Sequence, residues 1–346
     1  MEAADLHKIE TTFKTILRKS QARRCLIDIT AGTQEPGTLF GMPATRVPCS
    51  AALTLAAADQ LLIWDHFRKT CLPLRGVDIE IVAIIAPTAL RSRIEDMGVQ
   101  HLDMDAWIQQ ITKKKVVPVS LDKRQRFLSC LRSGLLYKSC KKLGCNTVIR
   151  FETNRDIAAH VFERIFLGSL ERKDIYEDIR VVRPLELVDQ DGVGRLLVSL
   201  SGSAEAKAEA KAEAKVETIE AEARMVDALS GTMTLEGCCN EFMKAIPSEM
   251  PAALLNVRAV LKKLEAEERI VVPGNGSDAK RPCGICCRLF ASVDNRLWLT
   301  TDLSSKNVGH CSICRSISKY FEGLDSTIDE EVEKINHGQP ASLATS

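Results

Sequence analysis

Between about Ile16 and Leu200, short runs rich in β-branched residues alternate with longer helical stretches. That alternation predicts parallel βαβ units and a sheet covered by helices on both faces. The expected strands are Ala44–Cys49, Ile79–Ile85, Val116–Val119, Thr147–Phe151 and Arg180–Arg183. The expected helices between them include Ala51–His66, Asp122–Leu143 and Arg155–Leu167. Pro48 sits inside the first of these strands, where a central position would lose a ladder hydrogen bond.

Downstream the pattern changes. Ala204–Lys215 is AEAK three times over, which stacks like charges at i,i+4 and predicts a solvated, semi-rigid helical spacer. Asn240–Lys244 and Leu254–Leu264 read as helix segments bounded by Pro247 and Pro251, because the residue before a proline avoids the helical region. Ile270–Val272 and a cysteine cluster follow. The expected organisation is therefore an α/β domain over residues 1–200 and a low-complexity linker over 201–224. A helical segment with a metal knuckle then covers 225–324, and a tail covers 325–346.

Composition adds bounds. Of 346 residues, 45% are apolar and 27% charged, a globular balance that excludes wholesale disorder. The net charge of +1 excludes no partner, since nucleic-acid binding depends on how charge is distributed. Met1–Ser20 holds no apolar run suited to a signal peptide or a membrane span, so the expected location is the cytosol, with no membrane partner. Thirteen cysteines without a secretory signal point to thiols and metal rather than disulfides. Cys71 and Cys130 read as small buried apolar side chains.

The sharpest chemical pattern is Cys283-x2-Cys286, 24 intervening residues, then Cys311-x2-Cys314. Each CxxC can turn tightly enough to aim two sulfurs at one point, and two such turns supply the tetrahedral thiolate shell of a structural zinc site. Arg296–Thr300 reads as a strand in the intervening insert. Cys287 and His310 adjoin the four and could replace one, and an iron–sulfur cluster is the chemical alternative. Four sulfurs leave no position for a substrate, so the metal is expected to hold the fold together.

Ligands of doubly wound sheets bind beyond the carboxyl ends of the strands, where strand order reverses. With Ala44–Cys49 as first strand, that exit is Val47-Pro48-Cys49-Ser50-Ala51-Ala52-Leu53-Thr54-Leu55. It contains no glycine to let backbone N–H groups approach a pyrophosphate. Ser50, Ala51, Ala52, Leu53 and Thr54 thus read as a degenerate nucleotide loop, and ATP is not expected on this chain. Cys145 is a candidate thiol nucleophile, but none of the six scattered histidines can be assigned to it as a base, and it reads as a buried thiol. His160 reads as a core or boundary residue.

Several segments resemble, in order, the cytoplasmic tRNA 2-thiolation protein 2 family, the non-catalytic partner of the PP-loop wobble-uridine thiolase. VPCSAALTLAAADQLL at Val47–Leu62 looks like its loop and first helix, which normally carry SGG. LGCNTVIRFETNRDIAAHVFERIFL at Leu143–Leu167 is similar to its LGC strand and TR-containing helix. DIRVVRPLEL at Asp178–Leu187 is similar to its V-x-x-V-R-P strand end, with Ile179 in first place. Phe242–Leu264 resembles its F-P-S stretch, with Ile246 before Pro247-Ser248, and the paired CxxC motifs resemble its closing zinc knuckle. The likeness runs from Phe13 to Leu324, interrupted by the AEAK insert. Ala51 and Ala52 replace the loop glycines, Phe151-Glu152 replaces a small polar pair, and of the N-terminal cysteine pairs only Cys25 is present.

The resemblance implies a five-stranded PP-loop-like sheet of the adenine nucleotide alpha hydrolase type. It also implies a heterodimer in which the catalytic subunit activates uridine with ATP and takes sulfur from a ubiquitin-like sulfur carrier. This chain would then help hold tRNA. Arg155 and Arg183 are candidate phosphate contacts, placed by sequence near the sheet's carboxyl edge, and Lys138, Lys141 and Lys142 form a basic helical surface. Lys113–Lys115 and Arg18, Lys19, Arg23 and Arg24 are further basic clusters. Two rivals predict otherwise: an active ATP-dependent tRNA sulfurtransferase, and a zinc-stabilised scaffold without a tRNA role. A RING ligase is disfavoured, since it needs two interleaved metals.

Overall fold

The computed structural model describes residues 3–20, 22–29, 55–72, 79–113, 121–166, 178–186, 188 and 190–201, with isolated positions from 238 to 333. In chain order the elements are α1 (Ala3–Ser20), β1 (Arg24–Asp28), α2 (Ala57–Thr70), β2 (Glu80–Ile85), a 3-10 turn (Thr88–Leu90), α3 (Arg91–Asp96), β3 (Gln100–Leu102) and α4 (Met104–Lys113). They continue with α5 (Leu121–Lys142), β4 (Thr147–Arg150), α6 (Asn154–Phe166), β5 (Arg180–Val182) and α7 (Gln190–Ser201). A two-stranded hairpin, β6 (Arg281–Pro282) and β7 (Leu289–Phe290), follows.

All five strands of the main sheet are parallel, in the order β3-β2-β1-β4-β5. The chain builds outward from β1 through β2 to β3, then returns to β1's other edge with β4 and β5. This is the α/β, doubly wound arrangement expected from the strand and helix alternation, and its switch point lies between β1 and β4.

Alternate residues of each strand serve opposite faces. Cys25, Ile27, Ile84 and Ile149 join one core with Phe13 and Leu17 of α1, Trp64 and Phe67 of α2, and Leu196 of α7. Leu26, Ala83, Ile85 and Val148 join the other with Trp107 and Ile111 of α4 and with Phe127, Leu131 and Leu135 of α5. Period-two alternation with both faces apolar explains why these strands read as continuous apolar runs. Helix α1 follows the same logic at helical spacing: Ile9, Phe13 and Leu17 are buried four apart, and Phe13 stacks on Phe67 with ring centroids 4.5 Å apart.

Three expected strands are present as β2, β4 and β5. The other two members differ. The central strand is Arg24–Asp28, which carries only three apolar residues between charged ends, and the edge strand is the three-residue Gln100–Leu102. Ala44–Cys49 and Val116–Val119 lie outside the described residues, as do the AEAK repeat and Arg296–Thr300. Among the described residues no helix is long and apolar enough to cross a membrane.

Candidate functional site

Because β1 is Arg24–Asp28, the first strand leaves the sheet at Asp28, not at Pro48-Cys49. This corrects the exit expected from sequence. Ser50, Ala51, Ala52, Leu53 and Thr54 lie outside the described residues, just ahead of Leu55 and of α2. The backbone at Ala56 opens α2 without a side-chain cap, and the Leu55 carbonyl accepts a hydrogen bond from Gln60 Nε2 at 2.7 Å.

At the switch point itself stand charged side chains, of which the sequence marks Arg183 and Glu152 but not Asp28, Arg132 and Arg150. Asp28 Oδ1 accepts from Arg132 Nη2 of α5 at 3.1 Å, and Oδ2 accepts from Arg150 Nε at the end of β4 at 3.0 Å. Only 2% of the Asp28 side chain is exposed, so these partners supply what water would otherwise provide. Arg150 Nη1 also lies 3.6 Å from Glu152 Oε1, and Glu152 Oε2 accepts from Arg183 Nε. The chain Arg132–Asp28–Arg150–Glu152–Arg183 therefore crosses the carboxyl ends of β1, β4 and β5 with alternating charge.

The helix that follows β4 is anchored by a capping box. The Thr153 backbone N–H and hydroxyl each donate to Asp156 Oδ2 at 2.8 Å, and the Asp156 N–H donates back to Thr153 Oγ1 at 3.3 Å. This fixes the N-terminus of α6 at the same edge. Asn154, in that first turn, is 8% exposed and its Oδ1 has no hydrogen-bond partner. Nearby, Asp103 caps α4, accepting from the Ala106 N–H at 2.9 Å and from the Thr88 hydroxyl.

The basic residues expected to meet RNA are dispersed. Arg183 follows β5 and is engaged by Glu152, while Arg155 occupies the first turn of α6. Lys138, Lys141 and Lys142 lie near the end of α5, and Lys141 pairs with Asp178. Cys145 is at the opposite, amino end of β4, where burial pushes its thiol up to about 11, Arg24 opposing and Glu80 reinforcing the shift. Burial pushes Cys25, its neighbour, up to about 12. Both thiols stay protonated at neutral pH, which disarms them as nucleophiles.

The third feature is the cysteine cluster. The sulfurs of Cys283, Cys286 and Cys314 lie within 4.8 Å of one another and all three residues are buried. The hairpin explains the convergence of the first two: β6 and β7 bracket the CxxC turn, and the Cys287 N–H donates to the Cys283 carbonyl at 2.9 Å. Cys287 takes the left-handed φ of 57°, the price of closing that turn without glycine. Cys311 lies outside the described residues. Three convergent thiols suit a thiolate-bound ion, and either zinc or an iron–sulfur cluster accepts that donor set.

No family model matches this sequence, and no curated protein matches it. Among solved structures, the chain is similar to the U34-tRNA thiolase NcsA from Methanococcus maripaludis with its 4Fe-4S cluster. The TM-score is 0.47 and the identity 11%, over 92% of this chain and 88% of that one.

Proposed function

We propose that the chain is the non-catalytic subunit of a heterodimeric complex that 2-thiolates the wobble uridine of cytosolic tRNAs. The observation that supports this most is the paired charge at the strand-order switch. Where a doubly wound fold takes its ligand, Asp28 sits between Arg132 and Arg150, and Glu152 between Arg150 and Arg183. A nucleotide phosphate arriving there would compete with carboxylates already seated on those guanidiniums. The protonated Cys25 and Cys145 supply no nucleophile, and they lie at the other edge.

The tRNA-thiolation part of the reading rests on the ordered segments that resemble the thiolation protein 2 family. In it, the catalytic subunit performs the ATP-dependent activation and receives sulfur from a ubiquitin-like carrier. This chain steadies that subunit and helps hold the tRNA. Arg155 stands at the positive end of α6, beside the guanidiniums of Arg150 and Arg183 at the strand ends. That placement favours a phosphate backbone over a neutral partner. The cysteine knuckle would hold zinc as a structural ion.

The test is mass spectrometry of wobble uridines in tRNA from cells depleted of this protein, with rescue by the wild-type chain. Loss of 2-thiolation that returns on rescue is the expected result. Unchanged thiolation would overturn it in favour of a metal-bearing scaffold, and ATP turnover by the isolated chain would favour an active sulfurtransferase.

A further inference from the structure

In a parallel sheet a helix that leads into a strand ends at the amino edge, so the last turns of α1 and α5 meet the starts of the neighbouring strands β1 and β4. They arrive on opposite faces, since α1 packs in one core and α5 in the other. Two basic clusters remote in sequence are thereby brought to one edge: Arg18, Lys19, Arg23 and Arg24 before β1, and Lys141 and Lys142 before β4. The junction between them is close. Asn146 Oδ1 accepts from the Arg23 and Arg24 N–H groups across 123 and 122 residues, and a β-carbon at Gly144, where φ is +65°, would meet the Arg24 guanidinium at 3.9 Å.

These cations exceed what the helix ends need. The carbonyl end of a helix carries the equivalent of roughly half a negative charge, whereas the last turns of α1 and α5 each hold two basic side chains. Glu80 and Asp178 take up part of the surplus by pairing with Arg24 and Lys141, but all four side chains are 43% to 60% exposed. Ion pairs so open to water are weak and yield to a competing anion. Arg18, Lys19 and Arg23 are exposed and Lys142 is partly buried, and none of the four forms an ion pair among the described residues. At the carboxyl edge Arg132, Arg150 and Arg183 are instead 14% to 20% exposed and seated on Asp28 and Glu152. Around β1 and β4, the cations left open to a polyanion therefore stand at the amino edge. The net charge of +1 hides this local surplus.

We propose that the amino edge around β1 and β4 is a second docking surface for RNA, where Arg18, Lys19, Arg23 and Lys142 grip a phosphate backbone on the side of the sheet opposite the start of α6. The identity of the polyanion rests on the tRNA-thiolation reading, and the surface rests on the convergence of the two clusters. Strand β1 has five residues and spans about 17 Å, about half a turn of a nucleic-acid duplex, so one RNA can engage both edges. Contacts from guanidinium and ammonium groups to phosphate position a nucleic acid without reading its bases, so this edge holds different tRNAs alike.

The experiment is titration of the full-length chain with an unmodified tRNA transcript at several salt concentrations, read by fluorescence anisotropy. Wild type is compared with Lys19→Gln/Arg23→Gln/Lys142→Gln and with a charge-matched control, Arg93→Gln/Lys123→Gln/Arg195→Gln, which removes three exposed cations away from β1 and β4. The edge variant should bind at least about tenfold more weakly, with the control within about twofold of wild type. Its slope of log K against log salt should be shallower by about 2, because three phosphate contacts contribute roughly 0.7–0.9 each. Wild-type affinity and slope in the edge variant would overturn the surface and leave the tRNA reading standing. Equal losses in both variants would also overturn it, since net charge rather than place would then decide. Absence of tRNA binding by wild type would overturn the surface together with this chain's share in holding tRNA. Displacement of the transcript by polyglutamate at equal charge would reassign the edge to an acidic protein and overturn the RNA assignment. Should the edge variant fail to fold, acetylation of lysines in the wild-type chain, mapped by mass spectrometry with and without the transcript, decides. Protection of Lys19 and Lys142 is expected, and unchanged reactivity at both would refute the proposal.

Discussion

The two edges of the central sheet solve the same problem with different chemistry. At the amino edge, strand starts are held by neutral hydrogen bonds: Asn146 Oδ1 accepts from the Arg23 and Arg24 N–H groups at 3.3 Å each, and the Arg180 N–H donates to the Asn146 carbonyl at 3.0 Å. Two ion pairs there are open to water: the Arg24–Glu80 side chains are 47% and 60% exposed, and those of Lys141–Asp178 50% and 43%. At the carboxyl edge the charges are interior, with Asp28 2% exposed between two arginines. Solvent shares the work at the first edge and is excluded at the second. A charge is therefore dispensable at one end of a strand and indispensable at the other.

Substitutions that break this contrast should rank accordingly. Asp28→Ala leaves two guanidiniums without their shared carboxylate and should destabilise the fold by about 3–5 kcal/mol in chemical denaturation. A cost near that of an average surface change would mean that water reaches the switch point. The next effect is pH-dependent. The Cys25 thiol is raised from 9.0 to about 12, chiefly by burial, so the folded state holds its proton more tightly than the unfolded chain. The stability this contributes is whole below pH 9 and is lost as pH rises toward 12. Cys25→Ala should flatten that alkaline decline relative to wild type in melts run under reducing conditions, and an unchanged slope would place the thiol in contact with water. Thr153→Ala, which opens the capping box of α6, should cost about 1 kcal/mol and fray the first turn, readable by amide exchange. Smallest of all, Arg24→Ala should change stability by less than about 0.5 kcal/mol, and a larger loss would erase the distinction between the edges.

What could be read from the sequence follows from how each element is stabilised. Strands β2, β4 and β5 and helices α2 and α5 announce themselves through β-branched runs and helical spacing, since apolar contacts with the two sheet cores fix them locally, and α6 does so through its own small cluster with Met243. Strand β1 hides because Arg24 and Asp28 flank only Cys25, Leu26 and Ile27, and Ala44–Cys49 offers a longer apolar run to compete with it. The charged chain at the switch point is invisible for a different reason. Arg132 and Arg150 meet Asp28 across 104 and 122 residues, and no local pattern pairs them. An aspartate inside an otherwise apolar run was the available signal. The cysteine spacing announced the knuckle's three described thiols, while Cys130, whose sulfur meets that of Cys314 alone among them at 3.4 Å, had no motif to mark it.

The central position of β1 also sets a schedule for synthesis. Its first neighbour, β2, is complete by Ile85, but the strand that closes its other side ends at Arg150, 122 residues after Asp28. At the roughly 5–20 residues per second of translation, on the order of 6–24 s separate the emergence of Asp28 from that of its second partner. Throughout that interval the middle of the sheet presents an open edge to whatever lies nearby. Commitment to the native topology comes only once Arg150 has emerged, and shielding from other chains matters most before then.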